Sequence, residues 1–245
     1  MTKTNLFVPR TYRHWTKGTD LVSFTVMVQE TDLFIRAASN LSSKATKLVE
    51  KYRRSLESYI ERHTDFLTSL EPIKVNGNAP LIVKAMANAS ARVNVGPMAA
   101  VAGAIAEFVG KELLDYTPEI IIENGGDIFI KSLKKRVIGI YAGDSPLTGK
   151  IGLEIEAAET PLGVCTSSGT VGHSLSFGKT DATIVLAKSA AMADAAATAL
   201  GNVVKQPGDI ETALEFAKSI SDIKGAVVIL GDKMGVWGDV KIISM

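Results

Sequence analysis

The sequence predicts an α+β fold in which antiparallel sheets are backed by helices. Three observations carry this. Strand-like and helix-like stretches come in blocks (strands, helices, strands, helices, strands) rather than in strict alternation, which argues against a doubly wound parallel sheet. Asn124-Gly125-Gly126-Asp127 parts two apolar runs within Glu119 to Ser132, a strong hairpin signal. Two helical stretches, Pro97 to Leu114 and Ser189 to Val204, are rich in alanine and glycine, thin enough to pack close to a sheet or to each other. Their echo suggests two similar halves within a single domain spanning 1–245, with a boundary at roughly 115–135.

Composition narrows the field. With 245 residues, 46% apolar and 22% charged, the chain has the makeup of a soluble globular protein with a sizeable core. Lys and Arg number 27 and Asp and Glu 26, so no basic field is available to hold a nucleic acid. One cysteine excludes an internal disulfide and a cysteine-rich zinc site. The histidines His14, His63 and His173 are scattered. The N-terminus lacks an apolar signal core, and no run reaches a membrane span, so a cytoplasmic protein is expected.

In chain order, Phe7 to Tyr12 and Leu21 to Val28 read as a hairpin around Lys17-Gly18-Thr19-Asp20. Thr31-Asp32 either leads into a third strand, Leu33 to Ala37, or caps a helix. Leu41 to Leu70 is a helical region, with apolar residues from Leu48 to Leu67 at spacings of three and four. His63, near that stripe, reads as an ordinary helix histidine. Pro80 to Ala87 fits a strand or a helix start. Pro97 suits the first turn of the helix that follows it, since its missing N–H has no intrahelical partner there. Val137 to Ala142, Ile151 to Ala157 and Thr183 to Ala187 are further strands. Ile210 to Ser221 is an amphipathic helix with Asp209 at its cap, and Ala226 to Ile243 closes the chain as a hairpin.

Four places could carry chemistry. Gly125 and Gly126 let a ligand approach the backbone, although NGGD is also an ordinary turn. Cys165-Thr166-Ser167-Ser168-Gly169 reads as a turn whose hydroxyls and N–H groups can hold an anion, without the ending of a Walker loop. Cys165 itself is either a packed core thiol or a nucleophile, and only His173, in a glycine-rich loop, is near enough in sequence to act as its base. Asp194 and Thr198 stand four residues apart on a helix otherwise small and apolar. A carboxylate buried there needs backbone donors or a cation, and Mg²⁺ suits oxygen ligands; Thr198 could instead bond back along its own helix.

Taken together, ENGGDI, GVCTSSG and MADAAATALGN resemble the ApbE superfamily of flavin-handling proteins. The helix is similar to that family's A-D-A-x-x-T-A-L segment, NGGDI to its G-G-D/N turn, and CTSSG to its T-S-G turn. Gly96 to Glu107 sits where the family has K-G-x-x-x-D, but the lysine is replaced by Val95. The family's H-x-x-D-P-x-T-G segment is reduced to His173 through Gly178. The resemblance covers roughly residues 90–202 and points to a short cytosolic branch. It implies two tandem tunnelling-fold-like units and a cleft for FAD or FMN between them. Asn124, Gly125, Gly126, Asp127, Thr166, Ser167, Ser168 and Gly169 would line that cleft, and Asp194 and Thr198 would hold Mg²⁺. The implied reaction is FMN transfer from FAD to a protein threonine or serine. The alternatives are thiol or sulfur-transfer chemistry at Cys165 with His173, and a non-catalytic flavin carrier or assembly factor. Expected partners are a nucleotide or flavin, an acceptor protein and a second copy of the chain, with no nucleic acid and no membrane.

Overall fold

The computed structural model describes residues 13, 20–170 and 177–245. The expected hairpin partner Phe7 to Tyr12, and His173, lie outside the described residues. The chain starts with the hairpin β1 (Val22–Val28) and β2 (Thr31–Ala37), turning at Gln29, whose φ is 52°. Thr31 and Asp32 therefore enter a strand and do not cap a helix. Four helices follow: α1 (Ser42–Ile60), α2 (Asp65–Thr68), α3 (Leu81–Arg92) and α4 (Val101–Leu113). The hairpin β3 (Ile120–Asn124) and β4 (Asp127–Lys131) comes next, then β5 (Arg136–Gly139) and β6 (Ile151–Ile155). Next are β7 (Leu162–Ser167), β8 (Ala182–Ala187), α5 (Ala190–Val203) and α6 (Ile210–Lys218). The chain closes with β9 (Ile223–Leu230), β10 (Lys233–Gly238) and β11 (Lys241–Ser244).

One eight-stranded sheet runs β1-β2-β3-β4-β7-β8-β9-β10, and every neighbouring pair is antiparallel. On either side of the β4–β7 junction the order is the same: a strand pair, helices, a strand pair. Alternation along each strand sends residues to opposite faces. Leu33, Ile35, Ile120, Ile122, Phe129, Cys165, Val185 and Val228 face the helices in the larger core. On the other face, Ile130, Leu162, Val164, Ile184 and Leu186 pack against Ile140, Leu153 and Ile155. That second layer is completed by the small sheet β11-β6-β5.

The structure redraws several expected boundaries. Leu41 to Leu70 is not one helix: it breaks after Ile60, and Leu67 and Leu70 are exposed. Pro80 to Ala87 resolves as a helix, with Pro80 as the residue before α3. Pro97 opens a short 3-10 turn ahead of α4. Cys165, Thr166 and Ser167 are not in a turn. They extend β7, pairing with Val185, Ile184 and Thr183, because ladder hydrogen bonds to β8 are available that far. Asp209 does not cap α6 with its side chain but accepts from the Lys205 and Gln206 N–H groups. The last stretch splits at Gly238, whose φ is +83°, so β11 leaves its hairpin and joins the small sheet.

Among the described residues no single helix is long and apolar enough to cross a membrane. The pair Leu81–Arg92 and Pro97–Leu113 reaches that composition only jointly and is bent by 107°. Its buried residues belong to the larger core.

What holds the two small-residue helices is contact without side chains. A Cβ on Gly103 of α4 would lie 2.2 Å from the Ala190 carbonyl oxygen at the start of α5. A Cβ on Gly163 of β7 would lie 2.4 Å from the Ala190 Cα. Ala190 is thus held between a helix and a strand, and no methyl fits on either side. Gly103→Ala is expected to lower stability by about 1–3 kcal/mol through overpacking. Gly208→Ala, at a position with nothing within 4 Å, should stay within about 0.5 kcal/mol of the parent. Urea midpoints of the two variants check this; equal midpoints would show that the helices can separate freely.

Candidate functional site

The close approach of α4 and α5 lets each helix supply an acid to the other. Glu107 of α4 is buried and accepts from the Ser189 hydroxyl (2.7 Å) and from the Ala190 and Ala191 N–H groups (2.7 and 3.3 Å). These are first-turn donors of α5 that lack intrahelical partners, and a carboxylate suits that helix end. In return Asp194, one turn into α5, accepts from the Gly103 N–H in the first turn of α4, at 2.9 Å. Backbone donors therefore meet Asp194. Among the described residues no lysine or arginine forms an ion pair with it.

A second carboxylate stands close. Gly125 and Gly126, with φ of 70° and 106°, form a two-residue turn between the paired Asn124 and Asp127. Positive φ at both positions is the geometry that favours glycine in a tight hairpin. The Asn124 amide donates to the Ala102 carbonyl at 3.1 Å, tying the turn to the start of α4. The Asp127 carboxylate accepts from the Thr166 N–H at 3.2 Å. Burial, reinforced by the charge of Asp127, holds the Asp194 carboxyl well above the usual carboxylate range. The turn, β7 and the α4–α5 pair thus converge on two buried acids.

The remaining expected residues divide. Ser167 falls on the helix-covered face with Cys165, the side on which α5 carries Asp194 and Thr198. The Thr198 hydroxyl is half-buried and makes no hydrogen bond to another described residue, so the expected back-bond to the carbonyl four residues earlier is not made. Thr166 lends its N–H to Asp127. Ser168 and Gly169 lie past the strand end: the hydroxyl meets Thr170 and the Thr180 carbonyl, and the Gly169 N–H donates to that carbonyl. Cys165 is fully buried and its thiol donates to the Ala190 carbonyl at 3.3 Å. Burial, then the charges of Asp127 and Asp194, push the thiol up, the opposite of what a nucleophilic thiolate needs. His63 is not a helix residue as expected: it lies in the connection between α1 and α2, stacked on Tyr59 with its Nδ1 3.1 Å from the Tyr59 carbonyl.

Glu107, Glu123 and Arg13 were not among the expected site residues. Glu107 carried a readable signal, as the acid set within the small apolar stretch of its helix, whereas Glu112 lies beyond Lys111 near the helix end. Glu123 and Arg13, paired at 2.6 Å across a separation of 110 residues, carried none.

The donors suit a hard divalent cation. Asp127, Asp194 and the Thr198 hydroxyl offer only oxygen, and two carboxylates with a neutral oxygen and waters match Mg²⁺. Among the described residues no three His, Cys, Asp or Glu side chains gather into a metal site, so such an ion would keep several waters.

Two outcomes follow. A carboxyl whose folded pKa is raised stabilises the fold fully below about pH 4, and that contribution fades as pH rises towards the folded pKa. Metal-free protein should therefore lose stability above about pH 4 in part through Asp194. Asp194→Asn should flatten that decline and remove any gain from added Mg²⁺, read from melting temperatures between pH 4 and 9. Parallel curves for parent and variant would contradict the raised pKa. Separately, Cys165 should resist iodoacetamide in the native protein and react fully in denaturant, as mass spectrometry would record.

Comparison with known proteins bears on the family and the fold. The family model described as AbpE bacteria matches residues 13–236. A UPF0280 protein of Methanococcus aeolicus is 45% identical over 221 residues, covering 88% of this chain and 89% of the relative. A UPF0280 protein of Methanocaldococcus jannaschii is also 45% identical over 221 residues, covering 88% and 90%. Among solved structures, the flavin transferase ApbE from Vibrio cholerae superposes with a TM-score of 0.57 at 14% identity, covering 91% of this chain and 97% of its own. The apbe protein from Thermotoga maritima gives 0.60 at 12% identity, covering 88% and 96%. At those identities the likeness concerns the fold, which is ApbE-like. With more than half its length matched by the family model, and close sequence relatives named UPF0280, the chain belongs to the AbpE bacterial family.

Proposed function

We propose that this chain binds a flavin or related nucleotide together with Mg²⁺, in the angle between the Asn124–Asp127 turn, the end of β7 and the α4–α5 pair, where its two halves meet. The observation that carries this reading is the pairing of two buried carboxylates, Asp127 and Asp194, without a lysine or arginine on Asp194 among the described residues. Two acids in one buried place oppose each other's ionisation and fit a cation better than they fit an apolar core. The ApbE-like fold supports the choice of ligand, since solved relatives of that fold are named flavin transferases.

Each residue has a definite task in this scheme. Gly125 and Gly126 leave the turn without Cβ atoms, so a ligand can approach the backbone. The Asn124 amide is held by Ala102, which fixes the turn against α4. Asp194 and Thr198 face the metal from one side of α5, and Ser167 offers a hydroxyl on the same face. A bound Mg²⁺ would supply charge neutralisation for a pyrophosphate. His173 is the proposed group for hydrogen bonding or proton transfer to the ligand. Transfer of FMN from FAD to a serine or threonine of an acceptor protein is the reaction such a site would support. A flavin carrier is the same site without turnover. Sulfur chemistry at Cys165 has no comparable support, because its thiol is buried and hydrogen-bonded in the core.

Titrating the purified protein with FAD, with and without Mg²⁺, tests this through flavin fluorescence and release of AMP. The expected result is Mg²⁺-dependent binding that Asp194→Ala reduces by at least about tenfold, equivalent to roughly 1.4 kcal/mol. AMP release in the presence of an acceptor would mark a transferase, and binding alone a carrier. Absence of binding under every condition would refute the flavin reading.

A further inference from the structure

We infer that Arg13 is a positioning residue for the Asn124–Asp127 turn, holding it through Glu123 in the geometry that receives the ligand. The inference rests on the site proposed above. It starts from strand alternation. Leu33 and Ile35 of β2 face the helices, so Asp32, Phe34 and Arg36 face the other side of the sheet. Glu123 pairs with Phe34 across the β2–β3 ladder and shares that side. Arg13 lies there too, some 110 residues from Glu123 in sequence.

Every arm of the Arg13 guanidinium is used. Nε donates to one Glu123 carboxylate oxygen at 2.6 Å. Nη1 donates to both Asp32 carboxylate oxygens at 3.2 and 3.1 Å, and Nη2 to the Asp32 backbone carbonyl at 3.0 Å. Arg36 donates to the Arg13 carbonyl at 3.1 Å, anchoring the backbone as well. The side chains of Arg13, Asp32 and Glu123 are 12%, 7% and 9% exposed, so these are shielded ion pairs. The other oxygen of Glu123 accepts the Gly126 N–H at 2.8 Å. One carboxylate therefore joins Arg13 to a backbone amide of the ligand turn.

The consequence is directional. With Arg13 removed, Glu123 and Asp32 are neighbouring shielded acids that have lost a shared cation. Glu123 then loses the two-sided hold on its carboxylate, which can swing towards water, and that weakens its grip on the Gly126 N–H. Lysine cannot replace the fork, because a single ammonium cannot reach all three acceptor groups in the arginine's planar arrangement. The turn carries Asn124 and Asp127 at its ends, so loosening Gly126 disturbs both. By reciprocity, a ligand that fixes the turn also strengthens the Arg13 anchor.

The test compares the full-length parent with Arg13→Lys and Arg13→Gln. Amide exchange at Gly126, measured by NMR without ligand, should accelerate about tenfold or more in both variants, the scale of one charge-assisted hydrogen bond. FAD affinity in the presence of Mg²⁺ should fall by a similar factor. FAD with Mg²⁺ should also slow trypsin cleavage of the parent after Arg13, since trypsin needs that side chain released; a merely structural tie would leave the cleavage rate unmoved. Unchanged Gly126 exchange in both variants would overturn the inference. Faster exchange with unchanged FAD affinity would overturn it as well, reducing Arg13 to a structural tie. If the parent itself fails to bind FAD, the proposed site falls, and Gly126 exchange still decides whether Arg13 sets the turn.

Discussion

The site depends on one close contact. Ala190 opens α5 wedged between Gly103 of α4 and Gly163 of β7, with no room for a methyl on either glycine. Contact at that range brings two helix starts within hydrogen-bonding distance of each other's side chains. Glu107 can then reach the first N–H groups of α5, and Asp194 can reach the first turn of α4. Each acid satisfies donors that a helix start leaves open, and each gains from the positive end of the facing helix dipole. The small-residue character of both helices is what makes this exchange fit, with apolar burial on their other faces supplying the cohesion.

Much of this was legible in the sequence, for identifiable reasons. The NGGD hairpin was readable because only glycine tolerates positive φ at both turn positions cheaply. The alanine helix with its lone acid was readable because a buried carboxylate must have a partner. The β7 boundary was misread because hydroxyl residues suit turns and strands alike, and only the β8 ladder decides between them. Leu41 to Leu70 looked continuous because apolar spacing survives a break that the pattern does not record. Arg13, Asp32 and Glu123 meet only through the pairing of β2 with β3 and the path of the chain before β1, and neither has a local signature.

The two acid clusters differ in how they are compensated, and the difference separates support from function. Glu123 and Asp32 share an arginine that bonds both carboxylates, and the set forms a fixed strut. Asp194 accepts from a backbone donor, yet burial and the charge of Asp127 still hold its carboxyl well above the usual range. A strut favours one geometry. A buried carboxyl held in this way disfavours added negative charge, which on the proposed reading a divalent cation would relieve.

That preference constrains what the site can accept. A pyrophosphate is anionic and would be repelled by two ionised carboxylates at close range, more strongly in a shielded place than in water. The repulsion disappears only if the acids keep protons or if a cation lies between acid and phosphate. Protons neutralise one charge each and leave the phosphate only a neutral O–H donor. A divalent ion neutralises the acids and attracts the phosphate at once, so cation and nucleotide should bind as a linked pair rather than independently. On the proposed reading, such linkage gives the strut on the far side of the sheet a purpose. A turn that, on this reading, presents backbone to an anion while carrying the acid Asp127 would need its conformation fixed beforehand, because any drift of that carboxylate towards the phosphate would cost binding.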